Sequence, residues 1–177
     1  MALWNTRGLR GSLLEEMINL TNSKYREKKL ALIQKVPTPI TPIEIDKEHR
    51  HITLAYFEQK STVDYIGVVQ GIPVCFDTKE CSVDTFSISN IHEHQIEFME
   101  EFEDQSGIAF ILIYYKKRDL YYYLTFKKLL EFWNRAQNGG RKSFRFDELD
   151  PTYEIPVVKG VCVHYLEILN KDLETRC

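Results

Sequence analysis

Cysteine is scarce in this sequence, and long apolar runs are missing altogether. The four cysteines, Cys75, Cys81, Cys162 and Cys177, are scattered with no C-x-x-C pair, which fits neither a disulfide scaffold nor a zinc ribbon. No run approaches the roughly 18 apolar residues of a membrane helix. The opening MALWNTRGLRGS lacks the apolar core of a signal peptide. We therefore expect a cytoplasmic protein with reduced thiols and no membrane partner.

The composition is that of one soluble globular domain, and its charges are unevenly distributed. Hydrophobic residues make up 44% and charged residues 28% of 177 residues, which predicts a single domain over residues 1–177. Residues 61–113 carry one Lys and ten Asp or Glu, whereas both flanking segments have an excess of Lys and Arg. The pattern favours basic flanks that hold a polyanion around an acidic, cation-collecting centre. A solvated acidic helix over residues 92–105 explains it equally well.

Hydrophobic periodicity predicts an α/β domain built around a mixed sheet. A helix begins after Ser12, with Glu15 completing a capping box, and a second helix follows a cap at Ser89 or Asn90. A proline-rich segment, residues 37–60, is too long for a simple loop and reads as a protruding β-ribbon with a basic tip. The predicted order is helix, strand 30–36, ribbon 37–60, hairpin 61–80, helix 91–105, strands 108–115 and 120–126, and helix 126–137.

The candidate catalytic residues lie in the predicted hairpin, residues 61–80. If Gln70 and Gly71 form its two-residue turn, the register places Asp64 opposite Asp77, and Lys79 shares the face of Asp77. Two opposed carboxylates destabilise a sheet unless a cation lies between them, and oxygen ligands favour Mg²⁺ or Mn²⁺. The spacing alone is weak, since acids that merely face solvent would give the same pattern.

Two polar residues extend this candidate site. Gln95 falls on the inward stripe that Ile91, Phe98 and Phe102 predict for its helix, where an amide needs a partner, and the carboxylate pair would supply one. A glutamine bonded to backbone is an equal alternative. Thr62 lies two residues before Asp64 and so on its face, although a strand threonine needs no such role.

Segments along nearly the whole chain resemble one family. They are TRG, LLEEMINLTNSKY, KVPTP, AYFEQKSTVDYIGV, FDTKE, NIHEHQIEFM, GIAFILI, FWNRAQNGGRKS and VHYLEIL, in the order seen in RecU-type Holliday junction resolvases of the PD-(D/E)xK nuclease superfamily. The resemblance implies a restriction-endonuclease-like mixed β-sheet flanked by helices, with residues 37–60 as a stalk insertion. It implies a Mg²⁺-dependent endonuclease, with Mn²⁺ as a substitute, that nicks four-way DNA junctions symmetrically as a homodimer in recombination and repair.

The resemblance also assigns site residues. It implies metal ligands at Thr62, Asp64, Asp77 and Gln95, the transition-state lysine at Lys79, and an acidic helix position that approaches them at Glu15. It implies DNA contacts at Arg7 of the TRG segment, at Lys47, His49 and Arg50 of the ribbon tip, and at Arg141, Lys142 and Arg145 of the NGGRKS tail. A solubilising turn would explain the tail equally well. Recombinases or branch-migration proteins are further partners that such an enzyme would suit.

The sequence departs from the family pattern at several points. Asp77 stands where the family has glutamate, Thr78 replaces a small apolar residue, and we expect no basic N-terminal extension of the kind that many relatives carry. Two other functions therefore stay open: another metal-dependent, structure-selective DNA endonuclease, which would also cut linear duplex, and a non-catalytic junction-binding regulator of recombination, which would bind without cutting.

Overall fold

A six-stranded mixed sheet with helices on both faces forms the body of the molecule. The computed structural model describes residues 13–57, 62–156 and 163–176. The helices are α1 (Leu13–Glu27), α2 (Glu93–Asp104), α3 (Phe126–Gln137) and α4 (Tyr165–Glu174). The strands are β1 (Ala31–Lys35), β2 (Ile40–Asp46), β3 (His51–Phe57), β4 (Tyr65–Val69), β5 (Ile72–Cys81), β6 (Thr85–Ser87), β7 (Ile108–Tyr115), β8 (Leu120–Thr125), β9 (Ser143–Arg145) and β10 (Glu154–Ile155).

The sheet has the order β1-β4-β5-β7-β8-β10, and only β5 and β7 pair in parallel. Parallel neighbours need a crossover, which α2 supplies. One core, including Tyr65, Phe76 and Phe110, packs with α1 and α4, and a second core on the opposite face packs with α2 and α3. All but one residue of β7 is buried, as its continuous apolar run predicts. The expected α/β class, a mixed β-sheet flanked by helices, is confirmed.

The predicted hairpin register is confirmed for the five pairs that form, but the ladder ends one pair before the predicted Asp64–Asp77 pair. Val69 pairs with Ile72 and Tyr65 with Phe76 around a turn at Gln70 and Gly71. Both turn residues have positive φ, 48° for Gln70 and 90° for Gly71, as a type I′ turn requires. Gln70 is an unusual residue for that conformation. Its side-chain Nε2 donates to the backbone oxygens of Lys29 and Leu30, at 3.0 and 3.1 Å, and these bonds help to hold it there.

The proline-rich segment contains the predicted ribbon. Strands β2 and β3 pair only with each other, and neither contains a buried residue. Lys47, His49 and Arg50 lie exposed in the turn between them. Their positive charge is offset locally, because Asp46 accepts a 2.9 Å bond from Nδ1 of His49 and Glu48 lies in the same turn.

Several local predictions were wrong or incomplete. The N-cap of α2 is His92, because Ser89 and Asn90 belong to a 3-10 turn before it. The buried face of α2 is formed by Gln95, Ile96 and Met99, and Phe98 and Phe102 are only partly buried. Periodicity also missed α4, β10 and the small β6-β9 sheet. Ser12 and Arg7 lie outside the described residues. No helix in the described ranges is long and apolar enough to cross a membrane.

Candidate active site

The candidate site lies in the part of β5 that extends past the first residue of its neighbour β4 and so has no β4 partner. Strand β4 pairs with β5 only as far as Phe76, whereas β5 continues to Cys81 along β7. Asp64 occupies the bend immediately before β4. Its backbone oxygen accepts a 2.8 Å bond from the N–H of Val36, which anchors the bend to the chain after β1.

The Asp64 carboxylate takes the place of the missing β4 backbone. Its Oδ2 accepts a 2.9 Å bond from the backbone N–H of Thr78 and a 2.7 Å bond from the Thr78 hydroxyl. The open edge of β5 is thus satisfied by a side chain, as buried backbone donors require. Asp64 is therefore held against β5 through its Oδ2.

Asp77 is almost completely buried, with 1% of its surface exposed. Its Oδ2 accepts a 3.0 Å bond from Nε2 of Gln95 and lies 2.5 Å from Nζ of Lys79. This confirms that Lys79 shares the face of Asp77. The second oxygen, Oδ1, is buried without any hydrogen-bond partner in the described residues. A buried acceptor left in this state costs roughly 1–3 kcal/mol or more, since it has lost its water.

The two carboxylates interact strongly. Burial, and then the nearby negative charge of Asp64, raise the pKa of Asp77 to about 7, while Lys79 opposes the rise. Like charges held together in this way need a shared proton or a cation between them.

The donor set fits a hard divalent cation. The unpartnered Oδ1 of Asp77 and the remaining oxygen of Asp64 are anionic oxygens, which Mg²⁺ and Mn²⁺ prefer. Among the described residues, no three His, Cys, Asp or Glu side chains form a group that could hold a metal. The remaining ligands would therefore be neutral oxygens or waters, several of which Mg²⁺ usually keeps.

Gln95 reaches the carboxylates as predicted, but through its amide nitrogen. Its Oε1 accepts a 3.2 Å bond from the backbone N–H of His92, so the side chain also caps α2. It therefore links the start of α2 to Asp77. Thr62 is half-buried before the bend, and no hydrogen bond joins it to either carboxylate. Metal ligation by Gln95 and Thr62 stays a prediction.

Glu15 lies in the first turn of α1, and its role at the site stays a prediction. It forms an ion pair with Lys35, and its backbone oxygen accepts a 3.4 Å bond from the Tyr65 hydroxyl. The backbone at the start of α1 is bonded by a carboxylate from another element: Oε1 of Glu80 in β5 accepts a 3.2 Å bond from the N–H of Leu14.

The basic tail is partly neutralised by its own acids. Arg141 pairs with Glu148 at 3.2 Å, and Arg145 pairs with Asp147 at 2.7 Å. Lys142 is exposed, and its backbone oxygen accepts a bond from Ile88. Lys142 could contact a phosphate directly. Arg141 and Arg145 would first have to break their ion pairs with Glu148 and Asp147.

Comparison with known proteins gives one consistent family. The family model described as "RecU: Recombination protein U" matches residues 9–171. "Holliday junction resolvase RecU" of Oceanobacillus iheyensis is 42% identical over 92% of this chain and 85% of its own length. The proteins of the same name from Pediococcus pentosaceus and Bacillus subtilis are each 38% identical, over 94% and 92% of this chain and 86% and 80% of their own lengths.

Proposed function

This chain belongs to the RecU family, and on that basis we propose that it is a Holliday junction resolvase, an endonuclease that introduces paired nicks into four-way DNA junctions during recombination and repair. One observation carries the proposal beyond family membership. Asp77, whose buried Oδ1 has no hydrogen-bond partner among the described residues, lies beside Asp64 and Lys79, so two carboxylates that can hold a cation lie next to an ammonium that can stabilise a phosphate.

We propose Mg²⁺ as the cofactor, with Mn²⁺ able to replace it, and Asp64 and Asp77 as the residues that hold it. When bound there, the metal would act as a Lewis acid on the scissile phosphate and lower the pKa of the attacking water. Lys79 is 21% exposed and carries its ammonium beside Asp77, so it can reach a phosphate at the site and stabilise its developing negative charge. Gln95 keeps Asp77 in place through its amide N–H. The expected product carries a 5′-phosphate.

We propose that the ribbon enters the open centre of the junction. It projects from the sheet without buried residues, and Lys47, His49 and Arg50 are exposed at its tip. Phosphates of four converging strands would compete with Asp46 and Glu48 for Lys47 and Arg50, and with Asp46 for the N–H of His49. Lys142, Arg141 and Arg145 would contact a duplex arm.

Replacing Lys47, His49 and Arg50 together by Ala should reduce the preference for a junction over a linear duplex by about tenfold. Junction binding should weaken and duplex binding should not, because these side chains lie on a projecting ribbon that a linear duplex need not contact. Gel-shift titration with both substrates in EDTA measures the ratio. Lys28→Ala with Lys29→Ala, which removes two exposed cations from the end of α1, serves as the control. An unchanged ratio in the triple variant would rule out the ribbon as the junction reader.

We propose that the active form is a homodimer whose contact includes the ribbon. An isolated two-stranded ribbon is marginally stable in water, and this one exposes many apolar side chains. They are Ile40, Ile43, Ile45, Ile52, Leu54, Tyr56 and Phe57, each at least 44% exposed. A second copy of the chain would cover them, and two-fold symmetry would match two sites to two strands.

Both cysteines in the described residues are free and buried, in keeping with a cytoplasmic location.

Cleavage of labelled four-way junctions and matched linear duplexes, with Mg²⁺ and with EDTA, tests the function. Mg²⁺-dependent nicks in two opposed strands, confined to the junction, are the expected result. Cutting of both substrates would identify a less selective nuclease. Junction binding without cutting would identify a regulator, and single uncoordinated nicks would argue against the dimer.

A further inference from the structure

We propose that the hydroxyl of Thr78 is a positioning group for the metal site, which orients the Asp64 carboxylate so that one of its oxygens faces the cation. The inference rests on the proposed function only for its link to cleavage, since the effect on metal binding can be measured without DNA. Thr78 itself contacts neither the cation nor the phosphate in this proposal and acts through Asp64.

The geometry points to Thr78 because, among the described residues, it supplies both of the hydrogen bonds that the Asp64 carboxylate accepts. Asp64 lies in a bend outside β4, and both hydrogen bonds to its Oδ2 come from Thr78. The backbone N–H alone, at 2.9 Å, would leave the carboxylate free to rotate about one contact. The second bond, at 2.7 Å from the hydroxyl, gives the same oxygen a second anchor and so limits the rotation of the carboxylate.

Thr78 is also well placed to be rigid. It is only 9% exposed and belongs to β5, where its backbone pairs with Leu112 of β7. A β-branched side chain in a strand has few χ1 rotamers, so the hydroxyl points to one place before a metal arrives. Asp77, by contrast, is already held by Gln95 and Lys79. The two carboxylates thus have separate supports, and Thr78 supplies the side-chain support of Asp64.

Thr78→Val tests the proposal, because it keeps the shape of the side chain and removes the hydroxyl. We expect the half-saturating concentration of Mg²⁺ for junction cleavage to rise about tenfold, with the rate at saturating Mg²⁺ reduced much less. Calorimetric titration of the DNA-free protein with Mn²⁺ should show a similar loss of affinity. Thr78→Ser restores a hydroxyl and should bring both values back to within about twofold of the unaltered protein.

The controls separate this proposal from the function it builds on. Circular dichroism and junction binding in EDTA should be unchanged in Thr78→Val, which shows that the fold and the DNA surface are intact. A purely structural role would lower the rate at saturating metal without moving the Mg²⁺ midpoint, and that result would overturn the proposal. So would weak Mn²⁺ binding in Thr78→Ser equal to that of Thr78→Val. If the unaltered protein binds Mn²⁺ but cuts no junction, the proposed function fails while the calorimetric comparison still decides the role of Thr78.

Discussion

Asp64→Asn should abolish junction cleavage, with a rate loss on the order of 10³-fold, while leaving junction binding in EDTA within about twofold. The amide keeps an oxygen that can accept the two bonds from Thr78, so the bend and β5 keep their structure. It removes one of the two negative charges that would hold the cation. The rate is measured under single-turnover conditions at saturating enzyme, which separates chemistry from binding.

A matched control is Asp104→Asn, which makes the same chemical change on an exposed position at the end of α2. That variant should cleave at the rate of the unaltered protein. If Asp64→Asn cleaved equally well, the assignment of the metal site to this carboxylate pair would be wrong. If it lost junction binding as well, Asp64 would act in DNA contact instead.

Asp77→Asn should stabilise the metal-free protein at alkaline pH, by several kcal/mol in free energy of unfolding, although it destroys the site. The pKa of Asp77 is raised from its ordinary value of 3.8 to about 7 in the folded state. Below pH 4 the group is protonated in both states and contributes nothing to the difference. As pH rises from 4 to 7, the unfolded chain releases this proton first, so folding is progressively disfavoured and the cost levels off above pH 7.

Asparagine removes that cost and suits the same contacts. Its amide oxygen can accept from Gln95 and Lys79, and its amide nitrogen can donate toward Asp64. Urea unfolding in EDTA at pH 4 and pH 8 measures the effect, which should be large at pH 8 and small at pH 4. Adding Mg²⁺ at pH 8 should stabilise the unaltered protein and leave Asp77→Asn almost unchanged. If the variant were less stable than the unaltered protein at pH 8 in EDTA, the charged Asp77 carboxylate would not destabilise the folded state, and the prediction would be wrong.

The hairpin illustrates how much of the site was predictable. A two-residue turn fixes every pair of an antiparallel hairpin, and side chains alternate between faces, so turn position alone placed Asp64, Asp77 and Lys79 together. Gln95 was found for a related reason, since a polar residue on a buried helix face needs a partner. Its direction was not predictable, because that depends on the N–H of His92, and periodicity did not give His92 as the cap.

Thr78 shows where prediction from the sequence failed. The alternation of side chains along a strand places Thr78 on the face opposite Asp77. In the sequence, Thr78 is notable only as a departure from the family pattern. It contacts Asp64 because β4 starts two residues too late to pair with Thr78, and the carboxylate of Asp64 in the bend occupies the vacant position. Strand ends are set by competing contacts of neighbouring elements and carry no sharp sequence signal.

The sequence by itself determined the mixed α/β class, the hairpin register and the ribbon, because these follow from local periodicity and turn chemistry. Only the tertiary structure decided which atoms meet: that Gln95 donates to Asp77, that Glu15 pairs with Lys35, and that Thr78 holds Asp64. The physical reason is that periodicity fixes the face on which a side chain lies. Distances of a few ångströms between separate elements are fixed by the packing of the whole sheet.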